Sequence, residues 1–141
     1  MKRLIPLLAL SLVVACGGDD NGPTIAPTTS APYSQTDLVV GTGTVATPGA
    51  QLIVAYTGWL HDSTRPEAKG TQFSTGANFP FRLGTGAVIR GWDQGVPGMR
   101  VGGQRRLVIP PDLAYGNNPP AGSNIPPNAT LVFDITLNSV Q

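Results

Sequence analysis

The sequence contains little of what most catalytic and metal-binding sites require. Its 141 residues include one Cys and one His, and only 12% of the residues are charged. A single Cys cannot form an internal disulfide or a multi-cysteine zinc site. The formal net charge is +1 and the Lys and Arg residues are scattered, so there is no basic stripe for nucleic acid. We therefore expect no metal, no cofactor and no nucleic-acid partner.

The length suits one domain and leaves no room for a second catalytic domain. The sequence does contain 18 Gly and 14 Pro residues, a content close to that of disordered chains. The placement of these residues therefore decides whether the chain folds.

The N-terminal segment predicts export. Lys2 and Arg3 are followed by an apolar run over residues 4–15, which is too short to span a bilayer and typical of a signal peptide. The run ends in Ala15-Cys16-Gly17, which resembles the bacterial lipobox, where the Cys is lipidated and becomes the new N-terminus. An ordinary signal peptide with an incidental Cys is the alternative. We expect residues 1–15 to be removed and Cys16 to anchor the protein by lipid in the cell envelope, at the outer membrane or cell surface.

Residues 16–36 are rich in Gly, Pro, Thr and Asp. They contain one large aliphatic residue, Ile25, and one aromatic residue, Tyr33. Such a segment buries too little apolar surface to offset the entropy of ordering it. We predict a flexible tether over residues 16–36 and a folded domain over residues 37–141.

Apolar residues in the domain mostly alternate with other residues. The clearest alternation is Leu131, Phe133, Ile135 and Leu137, and similar strands are predicted around Leu52–Tyr56, Phe79–Leu83 and Arg105–Ile109. In contrast, Ile89, Trp92 and Val96 recur at helical spacing, which predicts a short helix over residues 88–95. The expected fold is α+β, with an antiparallel sheet and one short helix. Gly and Pro then mark turns within a folded domain.

Five sequence blocks resemble the FKBP-type peptidyl-prolyl isomerases, in the order and near-spacing of that family. They are YTGWL from Tyr56, VIRGWDQG from Val88, GMRVGG from Gly98, IPPDLAYG from Ile109 and IPPNATLVFD from Ile125. The resemblance covers about residues 37–140. It implies a twisted antiparallel sheet wrapped around the short helix, with an apolar pocket between them.

The resemblance also implies which residues form the pocket. Trp92 matches its floor, and the Ile89 N–H and the Tyr115 hydroxyl match groups that hold substrate carbonyls. The implied catalytic residues are Tyr56, Phe73, Ile89, Trp92 and Tyr115, and the implied substrate-binding residues are Ser74, Phe79, Val88, Ile125 and Phe133. Taken alone, Trp92 and Phe133 would suit the core of almost any fold.

Two of the departures from the family pattern concern the pocket rim and the segment that precedes it. Ser74 follows Phe73 where the family typically carries Asp, so a carboxylate at the pocket rim is replaced by a hydroxyl. Residues 61–72 contain an insertion of about seven residues, which we expect to form an exposed excursion with His61 in a solvated loop.

The resemblance implies a monomeric isomerase that assists the folding of exported proteins by binding the twisted X-Pro amide. Catalysis of rotation about this bond requires aromatic surroundings and hydrogen-bond donors rather than an acid–base pair. Proline-containing segments, and macrolides of the rapamycin and tacrolimus type, are the implied ligands. The alternative is a non-catalytic binding module, a chaperone or surface interaction protein, which Ser74 favours.

Overall fold

The computed structural model describes residues 30–141 as an antiparallel five-stranded sheet with one short helix, which confirms the predicted α+β class. The strands are β1 (Ser34–Val39), β2 (Gln51–His61), β3 (Lys69–Arg82), β4 (Gln104–Ile109) and β5 (Leu131–Val140), and helix α1 (Arg90–Gly95) precedes β4. Single 3₁₀ turns occur at Pro66–Ala68 and Pro111–Leu113. The spatial order is β1-β4-β5-β2-β3. The predicted signal peptide, Cys16 and most of the predicted tether lie outside the described residues.

The core lies between one face of the sheet and α1. Strand β5 pairs with β4 on one side and with β2 on the other, so it occupies the middle of the sheet. Its alternate residues Leu131, Phe133, Ile135 and Leu137 are all buried, as the alternation predicts. No helix within residues 30–141 is long and apolar enough to cross a membrane.

Helix α1 begins at Arg90, two residues later than predicted. Ile89 precedes it in an extended conformation, with φ −60° and ψ 152°. The helix lies directly on β4, because a methyl group at Gly91 would meet the Ile109 side chain at 2.5 Å. Trp92 also faces the sheet, since its ring lies 5.3 Å from those of Tyr56 in β2 and Phe133 in β5. The N-terminal end of α1 is thus fixed against the sheet.

Arg105 joins three parts of the fold at the other end of α1. Its side chain is buried, and its Nε donates a hydrogen bond to the Asp37 carboxylate at 2.6 Å. Its Nη1 donates to the carbonyls of Gly95 at 2.7 Å and Pro97 at 3.1 Å. Buried charges are tolerated when they are paired and hydrogen-bonded in this way. Arg105 thereby fixes the C-terminal end of the helix to β1 and β4.

The sheet begins earlier than the predicted domain boundary at residue 37. Residues 34–36 pair with β4 as part of β1, and Tyr33 packs against the core. Burial raises the pKa of the Tyr33 hydroxyl, and the nearby Arg105 charge opposes this shift. The sequence gives no signal for β1, because all six of its residues are exposed and show no alternation.

The predicted exposed excursion over residues 61–72 is wrong at both ends. Strand β2 continues to His61 and β3 starts at Lys69, so only a turn over residues 62–68 separates the two paired strands. His61 is 8% exposed rather than solvated. Its backbone N–H donates a hydrogen bond to the Thr130 carbonyl at 2.9 Å, which holds the residue within the sheet.

Four charged residues on the outer face of the sheet form what we call the ion cluster: Glu67, Lys69, Arg106 and Asp134. Lys69 contacts Asp134 at 2.8 Å and Glu67 at 3.1 Å. Arg106 makes two hydrogen bonds to the Asp134 carboxylate, at 2.7 and 3.0 Å, and one to Glu67 at 3.1 Å. The cluster thus ties the 62–68 turn to β4 and β5.

Candidate functional site

A cavity of about 260 Å³ opens between the sheet and the start of α1. Strands β2, β3 and β5, the helix and the long loop before β5 all contribute to it. It is lined by Tyr56, Phe73, Ser74, Phe79, Ala87, Val88, Ile89, Trp92, Tyr115, Ser123, Ile125 and Phe133. None of these twelve side chains carries a charge at neutral pH.

All ten residues that the sequence assigns to the site line this one cavity, five as catalytic and five as substrate-binding. Their individual roles remain predictions. The sequence reasoning missed two lining residues, Ala87 and Ser123. Ala87 directly precedes the predicted pair Val88 and Ile89, and that position was the only available signal. Small side chains in loops carry no pattern of their own.

Trp92 forms the base of the cavity and is 4% exposed. Four aromatic rings meet it edge to face. Tyr56 and Phe133 lie at centroid distances of 5.3 Å, Phe81 at 5.6 Å and Phe79 at 6.0 Å. Such edge-to-face pairs stabilise a packing arrangement beyond the area they bury. The base and walls are therefore a connected set of rings with a defined geometry.

Further aromatic contacts extend this set toward solvent and toward the core. The ring of Phe73 meets Phe133 edge to face at 5.5 Å. Phe79 stacks on Phe81 at 6.0 Å, but only Phe79 lines the cavity, while Phe81 is buried behind it. Phe79 and Tyr115 are each 36% exposed, so they lie at the rim, where an entering ligand would meet them.

Two residues that line the cavity carry hydrogen-bond donors without an acceptor among the described residues. The Ile89 N–H precedes the first turn of α1 and donates to no carbonyl or side chain within residues 30–141. The Tyr115 hydroxyl likewise has no partner there. Burial, followed by the effect of the neighbouring Tyr56, raises the pKa of Tyr115. Its hydroxyl therefore stays protonated at neutral pH and can donate to a carbonyl.

Asp93 fixes the loop that leads to Ile89. Its two carboxylate oxygens accept hydrogen bonds from the backbone N–H groups of Gly84 at 2.9 Å and Gly86 at 3.0 Å. Both glycines have positive φ, which a chain reversal requires and glycine adopts at low cost. The carboxylate thereby positions the segment that supplies Ala87, Val88 and Ile89 to the cavity.

Ser74 occupies the rim position at which the family resemblance implies a carboxylate. Its Oγ lies 2.9 Å from the Tyr56 hydroxyl, and either group can be the donor. The polar contact at this rim is thus between two neutral groups. The cavity can hold an apolar group with nearby carbonyls, but it offers no carboxylate among the described residues.

The arrangement does not resemble a hydrolytic or metal centre. No group of three His, Cys, Asp or Glu residues within the described part of the chain is placed to hold a metal ion. The cavity instead combines an apolar, aromatic lining with a few donors, which is typical of a site that binds and orients a small apolar group.

Comparisons with known proteins identify this combination of fold and cavity. The sequence model of the family of FKBP-type peptidyl-prolyl cis-trans isomerases matches residues 43–138 of this chain. An FK506-binding protein of Neisseria meningitidis serogroup B is 42% identical over 108 residues, which cover 74% of this chain and 92% of that protein. The chain belongs to the FKBP-type peptidyl-prolyl isomerase family.

A structural comparison agrees. The crystal structure of AtFKBP13 superposes with a TM-score of 0.65 at 36% identity, covering 80% of this chain and 98% of that one. Some relatives are much longer: the 46 kDa FK506-binding nuclear protein of Spodoptera frugiperda is 45% identical over 107 residues, which are 24% of its length. The chain therefore spans about a quarter of such relatives, and the similarity concerns the isomerase domain.

Proposed function

We propose that the domain catalyses cis–trans isomerisation of X-Pro bonds in exported proteins. The observation that carries this proposal is the uncharged aromatic cavity with Trp92 at its base. Two donors on its lining residues, the Ile89 N–H and the Tyr115 hydroxyl, have no partner within residues 30–141. A proline ring is small and apolar, and its flanking carbonyls need donors. The cavity meets both requirements.

The reaction requires no bond to be broken in the chain. The barrier of about 18–20 kcal/mol reflects the amide resonance that is lost when the bond twists. A water-poor, apolar cavity disfavours the charge-separated planar amide, and donors to the flanking carbonyls hold the chain on either side of the rotating bond. Catalysis then follows from binding the twisted amide more tightly than the planar one.

The direct test is the rate of exchange of short X-Pro peptides, followed by NMR or by a protease-coupled assay. The uncatalysed reaction takes tens of seconds or longer, so even moderate acceleration is measurable. We expect exchange to accelerate in proportion to protein concentration. A folded protein that gives no acceleration would contradict the proposal.

Ser74 favours a second candidate function, a non-catalytic binding module such as a chaperone or surface interaction protein. Its neutral contact with Tyr56 holds that ring without the carboxylate that the family resemblance implies. The variant Ser74→Asp separates the two functions. A large gain in turnover indicates a weakened enzyme, whereas peptide binding without turnover in both forms indicates the module.

We further propose that proline-containing segments and macrolides of the rapamycin and tacrolimus type share this cavity. The support is the apolar lining and the names of relatives such as the FK506-binding protein of Neisseria meningitidis. A macrolide should compete with an X-Pro peptide for one site on a monomeric protein. Simultaneous binding of both ligands would rule out the shared cavity.

The site of action is proposed from the N-terminal sequence alone. The apolar run over residues 4–15 and the lipobox-like Ala15-Cys16-Gly17 support export, cleavage and lipid attachment at Cys16 in the bacterial cell envelope. Several acyl chains would anchor the protein, since each buried CH₂ contributes about 0.8 kcal/mol. Mass analysis of the protein from its host should show a lipidated Cys16. The Cys16→Ala variant should no longer be found in the membrane fraction. An unmodified Cys16 would contradict the anchor.

A further inference from the structure

Gly76 lies opposite Tyr56 in the pairing of β2 with β3. A Cβ atom at Gly76 would lie 2.8 Å from Cε1 of the Tyr56 ring and 3.5 Å from its Cδ1 and Cζ. The first distance is shorter than the separations that Cβ atoms show from other heavy atoms in proteins. Any larger residue at this position would therefore displace the ring. The Tyr56 ring thus lies across the β3 backbone, in space that only glycine leaves free.

The other end of the ring is held by a hydrogen bond. Ser74 precedes Gly76 by two residues, so the two positions face the same side of β3. The Ser74 Oγ lies 2.9 Å from the Tyr56 hydroxyl. Together, the bare backbone at Gly76 and the hydroxyl at Ser74 fix where the ring lies, against Trp92 at 5.3 Å and Phe79 at 5.6 Å.

The backbone conformation of Gly76 does not itself require glycine. Gly76 is absent from the residues with positive φ and lies within a paired strand. Glycine inside a strand weakens it, because it loses more conformational entropy on folding and has no side chain to pack. Fold stability alone would therefore favour alanine here, and the Tyr56 ring is the contact that opposes alanine.

We propose that Gly76 is a positioning residue of the site: it sets the orientation of the Tyr56 ring and thereby the shape of the proline-binding wall. The inference rests on the proposed isomerase function of the same cavity. It concerns this chain's own Ser74-Thr75-Gly76 segment, in which a neutral hydroxyl and an absent side chain take over the placement of the ring.

The test is a double-mutant cycle in the full chain, with kcat/KM for an X-Pro peptide as the readout. Gly76→Ala should lower kcat/KM by about tenfold, in line with the cost of displacing a positioning group by a fraction of an ångström to one ångström. The same change made in a Tyr56→Ala background should cost less than twofold, because the ring it displaces is gone. An equal loss in both backgrounds, or no loss in the first, would overturn the proposal.

Two further comparisons separate positioning from a general effect on the strand. Ala77→Ser adds one atom at the next residue, which faces the other side of β3, and should leave kcat/KM unchanged. Ser74→Ala should lower kcat/KM in the wild type but have little effect in Gly76→Ala, where the ring no longer reaches Ser74. Equal effects of Ser74→Ala in both backgrounds would contradict the proposal.

The melting temperature tests the same contact without activity. Gly76→Ala should lower it in the wild type and raise it in the Tyr56→Ala background, where only the gain from replacing a strand glycine remains. This reversal is expected even if the wild type shows no turnover, so failure of the proposed function and failure of the positioning role are distinguishable. If Gly76→Ala alone does not fold, the double variant with Tyr56→Ala should fold, because the ring that the new methyl group meets is gone. A double variant that is unfolded while Tyr56→Ala is folded would refute the contact between residue 76 and the Tyr56 ring.

Discussion

Phe133 and Asp134 are neighbours in β5, yet they face opposite sides of the sheet and opposite kinds of surroundings. Phe133 meets Trp92 and Phe73 in a cavity lined by uncharged groups. Asp134 accepts hydrogen bonds from Arg106 and Lys69 in the ion cluster on the outer face. One face binds through shape and the absence of charge, and the other holds the sheet and its adjoining turn together through charge.

Function and structural support are thus separated across the thickness of one sheet. Because side chains alternate along a strand, consecutive residues can serve the two purposes independently. A change on the outer face should therefore affect stability with little effect on turnover. A change on the cavity face should affect turnover first, and stability where the side chain also belongs to the core.

The two tryptophans provide the strongest test of this contrast, since one lies on each face. Trp92→Ala removes the base of the cavity and a buried core side chain. We expect a loss of at least 100-fold in kcat/KM and about 4 kcal/mol in the free energy of unfolding. Peptide exchange assays and denaturant titration measure the two effects.

Trp59→Ala is the matched control. This ring packs under the Lys69 ammonium, 4.3 Å from its centroid, on the outer face. Loss of that contact should cost about 1 kcal/mol of stability and leave kcat/KM within twofold. A loss of turnover comparable to that of Trp92→Ala would break the separation of the two faces.

Asp134→Asn tests the outer face. The change removes the charge that Arg106 and Lys69 share, and their side chains are only 17% and 19% exposed. Removing one partner of a partly buried, charge-assisted network should lower the free energy of unfolding by about 2 kcal/mol. Turnover per folded molecule should be unchanged. A variant that keeps its stability but loses activity would reverse our assignment of the two faces.

The same carboxylate predicts how stability varies with pH. Burial opposes its charge, but the hydrogen bonds from Arg106 and Lys69 outweigh this effect and hold the pKa of Asp134 below its ordinary value of 3.8. The unfolded chain therefore takes up the proton first as the pH falls. The stabilisation is complete well above pH 4 and is lost as the pH falls through the lower pKa of the folded state. Acidification should thus destabilise the wild type more than Asp134→Asn, and equal acid sensitivity of the two proteins would contradict this assignment.

Tyr115→Phe isolates one of the two cavity donors. The hydroxyl has no partner within residues 30–141 and the ring is 36% exposed, so its removal should barely change stability. If it donates to a substrate carbonyl, kcat/KM should fall by about tenfold, equivalent to about 1.4 kcal/mol. The relevant comparison is peptide exchange at equal concentrations of folded protein. Unchanged turnover would assign Tyr115 to the rim as an apolar contact only.

His61→Leu is expected to have the smallest effect. The side chain is buried, and its Nδ1 has no hydrogen-bond partner among the described residues. An apolar side chain of similar size avoids that cost, so the free energy of unfolding should rise by up to about 1 kcal/mol. Thermal unfolding of the variant measures this. A marked loss of stability would indicate that His61 makes a polar contact beyond those in residues 30–141.

The cavity could be predicted closely from the sequence, whereas the supporting face could not. Four of the five motifs carry seven of the ten assigned cavity residues, and large rings such as Trp92 and Phe133 also stand out by their spacing. The ion cluster has no local pattern, because Glu67, Arg106 and Asp134 come together only when β4 pairs with β5 and the turn folds over them. Burial of His61 likewise depends on distant partners, since the residue pairs with Lys69 in β3 and its backbone N–H donates to the Thr130 carbonyl. The polar neighbours of His61 in the sequence indicate a solvated loop instead.

Strand β1 shows the same limit at the domain boundary. Its residues are exposed and lack alternation, so nothing local distinguishes them from the predicted tether that precedes them in the sequence. They form a strand because β4 offers an edge and because Arg105 reaches the Asp37 carboxylate at 2.6 Å. Both causes lie far along the chain and become visible only in the folded domain.

The strand order has a consequence for the rate at which the chain itself folds. Strands β2 and β3 are joined by a short turn and can pair early, but β1 must wait for β4, which is separated from it by 68 residues at the Asp37–Arg105 contact. Sheets dominated by such distant pairings fold in milliseconds to seconds, far more slowly than helical bundles of similar size. We expect β1 to join last, as a slow kinetic phase that weakening the Asp37–Arg105 contact would selectively alter.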